Sequence, residues 1–323
     1  MRDARASAPG KLVLCGEYAV LDGAPAVCMA VNRRAKVSIT AVDGEQHRVS
    51  APGHSSVEGQ FVVDGGAIAW LQGEDDYRVV DAAWHAIAPV TKRGLSIELD
   101  TRAFVDEASG NKIGIGSSAA LTVALAAALT QSGEVLEPAL HAHRLFQGGS
   151  GSGADIATSL TGGLVEYRMK GAAVSRLRWP AGLAYRLVWS GVPVSTRVKL
   201  EQLEKSGHDA SRAALLDAAE SMAGAWRSAA AVMSQFPTYI AALRQFSIDH
   251  DLGIFDAGHG QLVSAAAAAG LVYKPCGAGG GDVGILLGNS DKQLDDFMND
   301  RKGPGCQVLD FRLEPEGVLL EQR

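Results

Sequence analysis

The chain lacks the features that would place it in several common classes. Its four cysteines, Cys15, Cys28, Cys276 and Cys306, are scattered, with no CxxC pair and no histidine at zinc spacing. That excludes a zinc module and a disulfide framework, and the residues read as reduced, mostly buried thiols of a cytosolic protein. No apolar run reaches the roughly 20 residues of a membrane span. The opening MRDARASAPGKLVLCGE is broken by Lys11 and Glu17 before a signal-peptide core forms. A cytoplasmic protein without a membrane partner is therefore expected. Basic residues are not in excess either: 30 Lys and Arg face 36 Asp and Glu, a net charge of −6. Non-specific nucleic-acid binding needs a basic face and is not expected. There is no internal repeat, coiled coil or low-complexity tail.

With 323 residues, 47% of them hydrophobic and 20% charged, the chain can build a large core and is expected to form two domains. An acidic total still leaves room for a phosphorylated ligand, since a local cluster of Lys and Arg is enough to meet one. The chain is organised around 111–130, NKIGIGSSAALTVALAAALT. Gly114 and Gly116 let a backbone approach a ligand without a Cβ in the way. Ser117 and Ser118 then open an Ala/Leu-rich helix, whose first amides lack intrahelical partners and whose dipole is positive there. Loop and helix start together suit a phosphate chain. No Lys-Ser or Lys-Thr pair follows, so this is not a P-loop. A serine-capped core helix after a glycine turn is the competing structural reading.

In chain order, Leu12 to Cys15 and Ala26 to Val31 read as buried strands around an Asp22-Gly23 turn. Lys11, Glu17 and Tyr18 sit inside this apolar hairpin, where a charge must be paired or used. A rim salt bridge between Lys11 and Glu17 is the structural reading. Alternation from Arg34 to Val42 predicts a half-exposed strand, and His47 and His54 read as surface residues. Asp76 to Ala88 is an amphipathic helix and Leu95 to Leu99 a strand. Pro138 to Gln147 predicts a helix with His141 and His143 on different faces, which argues against a shared metal site. A second Gly/Ser loop, Ser150 to Gly153, opens another helix with Asp155 in its first turn. Capping alone accounts for an Asp there, but the repeat of the loop type raises a functional reading. A strand from Ala184 to Trp189 lies near the domain boundary, and Pro193 to Thr196 caps a polar helix. Residues 211–233, 237–249 and 256–269 predict three helices, Asp291 to Arg301 another, and Gln307 to Leu313 a final strand. Between two apolar strands lies KPCGAGGGDVGILLG, a tight backbone turn against a ligand or another loop.

Each loop alone is weak evidence. In this order, APGKLVLCGEYAVLDGAPA, KIGIGSSAALT and KPCGAGGGDVGILL resemble the three signature motifs of the GHMP small-molecule kinases, across residues 8–287. Within that superfamily, GEYAVL, the Lys-x-Gly start of KIGIGSSA, SGSGAD and the GAGGGD loop are most similar to the phosphomevalonate kinase branch. Mevalonate kinases more often carry His where Tyr18 stands and lack a lysine at position 112. The resemblance implies an α+β fold in two parts. Residues 1–180 would form an N-terminal domain like domain 2 of ribosomal protein S5, and residues 181–323 a C-terminal α+β GHMP domain, with the site between them. It implies ATP and Mg²⁺ as cofactors and a small phosphorylated acceptor as substrate. Gly114, Ile115, Gly116, Ser117, Ser118 and Ala119 would hold the ATP phosphates, with Ser118 as metal ligand. Asp155 would take the proton of the attacking group, and Lys11 would lower that group's pKa and offset charge in the transition state. Lys112, Glu17, Tyr18, Ser152, Ser195 and Thr196 would face the acceptor. Gly277, Ala278, Gly279, Gly280 and Asp282 would close over phosphate and substrate. One departure stands out. Mevalonate kinases place a metal-binding glutamate on the helix before the aspartate loop, where this chain offers only His141, His143 and Arg144. Alternative readings are mevalonate kinase or another small-alcohol kinase, and a nucleotide sensor without turnover; the presence of Lys11, Ser118 and Asp155 together argues against the sensor. A monomer or homodimer is expected.

Overall fold

The computed structural model describes residues 2–149, 151–204, 210–301 and 305–322. Ser150 of the second Gly/Ser loop lies outside them. Two sheets organise the described residues. The first contains β1 (Ala4–Cys15), β2 (Ala26–Val42), β3 (His47–Ser50), β4 (Gly59–Asp64), β5 (Ala67–Gln72), β6 (Gly94–Asp100), β7 (Leu164–Arg168) and β8 (Ala173–Leu177). The second contains β9 (Ala184–Trp189), β10 (Val272–Pro275), β11 (Val283–Gly288) and β12 (Gln307–Leu309), in the order β10-β11-β9-β12. The chain then returns, and β13 (Leu319–Gln322) pairs antiparallel with β1 at the edge of the first sheet. A first sheet with one parallel pairing, β3 with β6, a second sheet paired antiparallel throughout, and irregularly interspersed helices make this an α+β fold. We propose residues 1–180 and 181–323 as its two parts, with β13 crossing back.

The hairpin expected at the start is longer than its apolar runs. Ala26 to Val31 and the alternating Arg34 to Val42 form one strand, β2, that pairs with β1 from Val27 to Ile39 and, on its other edge, with β7 at 26–29 and β6 at 36–42. A register shift between Pro9 and Gly10 bends β1, so that the Lys11 amide turns from the ladder and donates to Ile115 O at 2.8 Å. His47, expected at the surface, is buried: it stacks on Phe61 with ring centroids 4.6 Å apart, and its Nδ1 accepts from the Leu95 amide. An imidazole with one satisfied nitrogen is apolar enough for that face.

Helices α1 (Arg78–Ile87), α2 (Ser117–Thr130), α3 (Leu136–Phe146) and α4 (Ala154–Thr161) belong to the first part; α5 (Thr196–Glu204), α6 (Ala210–Ala225), α7 (Ala229–Asp249), α8 (His259–Ala268) and α9 (Asp291–Asn299) belong to the second. Helix α2 is buried on all sides from Ala119 to Leu129 except Leu121, which is partly buried. Alanine lets β1, β2 and the neighbouring helices close on it, so it has no polar face to present. The break expected at Pro237 falls earlier, at 226–228. Ser228 caps α7 by accepting from the Ala231 amide, and Pro237 sits inside the helix. A satisfied N-cap outweighs the one backbone bond that a proline forfeits.

Each part keeps an apolar cluster of its own, and a further one spans both. Leu14, Val27 and Met29 of the first sheet share one apolar cluster with Trp226, Phe236 and Leu243 of the second part. This continuity fixes the cleft between them. Burial pushes the thiols of Cys15, Cys28 and Cys276 up to about 12, so they are inert packing groups.

Candidate active site

The cleft is built where four chain segments meet. Between β6 and α2 the chain forms the loop ending in Gly116, whose φ is +77°. Among the described residues no side chain caps α2 there. Its first amides, from Ser117 onward, are left to face the cleft. Two glycines are needed for what lies against this loop. A Cβ on Gly116 would come within 2.8 Å of Lys11 Cε, and one on Gly114 within 2.1 Å of the Asp282 carboxyl carbon. The lysine stem of β1 and the aspartate of the third glycine loop are thus laid directly on the backbone of the anion site.

Asp155 enters from the start of α4. Gly153, at φ +85°, turns the chain into that helix, and Tyr167 on β7 holds the turn by donating to Ser152 O at 2.9 Å. The Asp155 side chain is 22% exposed, and its Oδ1 accepts from the Ile156 amide at 3.0 Å. Burial raises its pKa, but His143, Lys11 and the backbone amide together hold it below the usual carboxylate range. It is therefore an ionised acceptor at neutral pH. His143 on α3 lies beside it, buried to 3%, with Nδ1 4.0 Å from Asp155 Oδ2 and Nε2 3.4 Å from Ser118 Oγ. Burial pushes the imidazole's pKa down, so it is neutral near pH 7. His141 is exposed on another face, edge-on to His85.

Glu17 does not form the rim pair with Lys11 that its position suggests. It turns inward to an ion pair with Lys274, whose side chain is completely buried on β10, and its Oε2 accepts from Tyr239 Oη at 2.6 Å. The Tyr239 hydroxyl in turn accepts from the Gly16 amide at 2.8 Å. The reason is supply. Glu17 has a cation and a phenol on its buried side, and Lys11 is drawn over Gly116. The next residue, Tyr18, has φ +61° and donates to Ala278 O at 2.7 Å, joining the first motif to the third across the cleft.

The cleft encloses about 1320 Å³ counting its open mouth. Much of that space is open solvent; the cavity proper is about 290 Å³, at the lower end of the ~300–1,000 Å³ usual for a small-molecule site. It is lined by Lys11, Lys112, Gly114, Ile115, Gly116, Ser117 and Ser118, by Glu17, Tyr18, Ser152 and Asp155, and by Thr196, Gly277, Ala278 and Asp282. Lys112 is exposed at this rim. Four residues expected here do not reach it. Ala119 is buried behind the first turn of α2, and Ser195 points to solvent. Gly279 and Gly280 back onto Ile254 and Gly253, with the Gly280 amide donating to Ile254 O at 2.7 Å. They shape the loop that presents Gly277, Ala278 and Asp282. Asp282 itself is tied to the 190–194 segment by three bonds: its amide donates to Val192 O, its carbonyl accepts from the Ser190 amide, and its Oδ1 accepts from the Val194 amide at 3.2 Å. Burial pushes its carboxyl up to about 6, against the pull of Val194 and Lys11.

Sequence reasoning missed His143, Lys274 and Tyr239. A lysine inside the apolar run Leu271 to Cys276 was the signal for Lys274. Neither of the others carries a local signature.

Ser118 and Asp155 are hard oxygen donors, and among the described residues no group of three or more His, Cys, Asp or Glu is placed to hold a metal ion. That donor set fits Mg²⁺ arriving with a nucleotide, since this ion keeps waters and phosphate oxygens and asks the protein for only one or two ligands. No helix among the described residues is long and apolar enough to cross a membrane.

Comparison with known proteins agrees with this arrangement. Residues 78–163 match the family model for the GHMP kinases N terminal domain. Over 96% of this chain and 97% of the other, the sequence is 28% identical to a phosphomevalonate kinase of Streptomyces sp. (strain CL190). It is 26% identical to a mevalonate kinase of Pyrococcus abyssi, over 98% of this chain and 97% of that protein. The fold is similar to that of Streptococcus pneumoniae phosphomevalonate kinase solved with phosphomevalonate and AMPPNP, at a TM-score of 0.76 and 19% identity, covering 95% and 99% of the two chains.

Proposed function

We propose that this chain, which carries a GHMP kinase N-terminal domain on a fold shared with kinases of that superfamily, transfers the γ-phosphoryl group of ATP to phosphomevalonate, giving diphosphomevalonate. The observation that carries the reading is the meeting, in one cleft, of an open helix N-terminus, a lysine laid on its loop and an ionised aspartate. The backbone from Gly114 to Ser118 and the first amides of α2 hold the phosphate chain. Asp155 accepts the proton of the acceptor hydroxyl, whose oxygen bonds to the γ-phosphorus as the bond to the ADP oxygen breaks. Lys11 stabilises the charge that develops on the transferred group. Positioning and charge stabilisation supply most of phosphoryl-transfer catalysis, so this set suffices. Ser118, with Asp155 beside it, would hold the Mg²⁺ that arrives with the nucleotide, and that ion would supply neutralisation of phosphate charge.

The choice of acceptor rests on charge at the cleft mouth. Phosphomevalonate brings a terminal phosphate of nearly two negative charges, which must find donors to replace its water. Lys112 lines the cleft just before the glycine loop and is, among the described residues of that lining, the cation available for it, since Lys11 is committed to the transfer site. A mevalonate kinase is the second reading. It is favoured by the carboxylates of Asp155 and Asp282 in the same lining, which a second phosphate has to approach. Replacing Lys112 by alanine decides. A charge-assisted contact of about 1.5–3 kcal/mol predicts a roughly ten- to hundredfold rise in KM for phosphomevalonate with KM for ATP nearly unchanged. Loss of ATP affinity instead refutes the assignment.

A further inference from the structure

On α3, His143 occupies the space between Ser118 and Asp155, on the helix where the departure from mevalonate kinases was noted above. The geometry points to His143 as a positioning residue of the transfer site, an imidazole protonated on Nδ1 that accepts the Ser118 hydroxyl proton at Nε2 and turns Nδ1–H toward Asp155.

Three observations carry this. First, the two ring nitrogens face two different groups of the site: Nε2 lies 3.4 Å from Ser118 Oγ, and Nδ1 lies 4.0 Å from Asp155 Oδ2. Second, the ring is 3% exposed, and polar atoms buried to that degree are generally satisfied by partners in the site. Third, the donors and acceptors admit one consistent order. Asp155 Oδ1 accepts from the Ile156 amide, and Oδ2 of the same carboxylate, the oxygen that faces Nδ1, is an acceptor. Nδ1 must then be the donor, Nε2 the acceptor, and the Ser118 hydroxyl the donor to it. In that arrangement the lone pairs of Ser118 Oγ point away from His143 and remain free for a cation, while the imidazole makes the oxygen a better ligand. The 3.4 Å contact is a long hydrogen bond and the 4.0 Å separation an electrostatic approach; contacts of this kind are commonly long when no substrate is bound.

The consequence is a division of labour. A glutamate in this place adds a negative ligand to the metal. His143 adds no charge to the metal site, orients the serine and the aspartate against each other, and leaves the cation held mainly by the nucleotide phosphates. This inference rests on the roles given above to Ser118 and Asp155.

The test begins on the protein without nucleotide or metal. ¹⁵N-histidine NMR at pH 8 is expected to show the His143 ring as the Nδ1–H tautomer, and Asp155→Ala to shift it toward Nε2–H. A wild-type ring in the Nε2–H form overturns the proposal whatever the enzyme's substrate proves to be. In turnover, His143→Ala is expected to lower kcat by about 10–100-fold, the usual effect of removing a group behind a ligand, with KM for ATP and thermal midpoint close to wild type. His143→Gln, whose amide offers one acceptor and one donor, is expected to recover part of the loss. A drop in kcat matched by a drop in folded fraction, with no rescue by glutamine, overturns it. With Mn²⁺ and AMPPNP, a ¹⁴N coupling of directly bound imidazole in the electron-spin-echo spectrum also overturns it, because Nε2 would then be a ligand to the metal. Should no acceptor be phosphorylated at all, the functional reading fails while the tautomer still decides the arrangement.

Discussion

Replacing Lys274 by methionine tests the physical account of how the two halves are joined. Methionine keeps the length and apolar stem of lysine and removes only the ammonium group. In the wild-type protein that group lies in a fully buried side chain, paired with Glu17 and bonded to Pro275 O. Burial alone lowers the lysine pKa, but Glu17 more than reverses this and keeps it charged. After the substitution, Glu17 remains 4% exposed, with the Tyr239 hydroxyl as its remaining side-chain donor. Removing one partner of a buried pair typically costs about 3–5 kcal/mol, far more than a surface bridge. Such a loss is a large share of the ~5–15 kcal/mol that holds a protein folded. Glu17→Gln in the same background removes the stranded charge and still accepts from Tyr239. The double variant should therefore recover about 2–3 kcal/mol of the loss, a coupling typical of groups in direct contact. Urea unfolding followed by tryptophan fluorescence measures all four members of the cycle. A single-variant loss below about 1 kcal/mol, or a double-variant loss equal to the sum of the singles, refutes the reasoning.

Three further outcomes follow from the site. Asp155→Asn should keep ATP binding and fold while losing roughly 10²–10⁴-fold in kcat, as removal of a general base does; reduced stability with unchanged turnover per folded molecule assigns the residue to capping alone. Ser118→Ala should raise the Mg²⁺ concentration for half-maximal activity about tenfold, and a metal response like that of wild type takes Ser118 out of the site. Asp282 has its folded pKa raised from 3.8 to about 6, so the folded state binds the extra proton and its stability falls as pH climbs from about 4 to about 6. At about 1.4 kcal/mol per pH unit the bound is ~3 kcal/mol. Asp282→Asn should match wild type in urea at pH 4 and exceed it at pH 8; equal stability at both ends contradicts the burial argument.

Much of the site was legible because its parts are local. Gly114, Gly116 and Gly153 are set by backbone conformations that only a few residues away determine, and the phosphate loop, Ser152 and Asp155 follow from them. What stayed hidden depends on packing between distant segments. Glu17 and Lys274 lie 257 residues apart, so the sequence offered Lys11 as the nearer partner. His143 faces Ser118 only because α3 docks beside the first turn of α2. His47 looked like a surface residue because a stacked imidazole behaves as an apolar group and leaves no mark on the hydrophobic pattern. The same holds for the fold. Alternation found the half-exposed stretch of β2 but not its continuity with the buried one, and the short β13 has meaning only as the neighbour of β1.

The most direct measurement is a competition between acceptors. Purified protein with ATP and Mg²⁺ is assayed for ADP release with phosphomevalonate, mevalonate, homoserine and simple sugars, each under identical conditions, and kcat/KM is compared. The account predicts that phosphomevalonate exceeds every other acceptor by at least about tenfold, the minimum that one charge-assisted phosphate contact supplies. Preference for unphosphorylated mevalonate, or nucleotide binding without turnover on any acceptor, contradicts it.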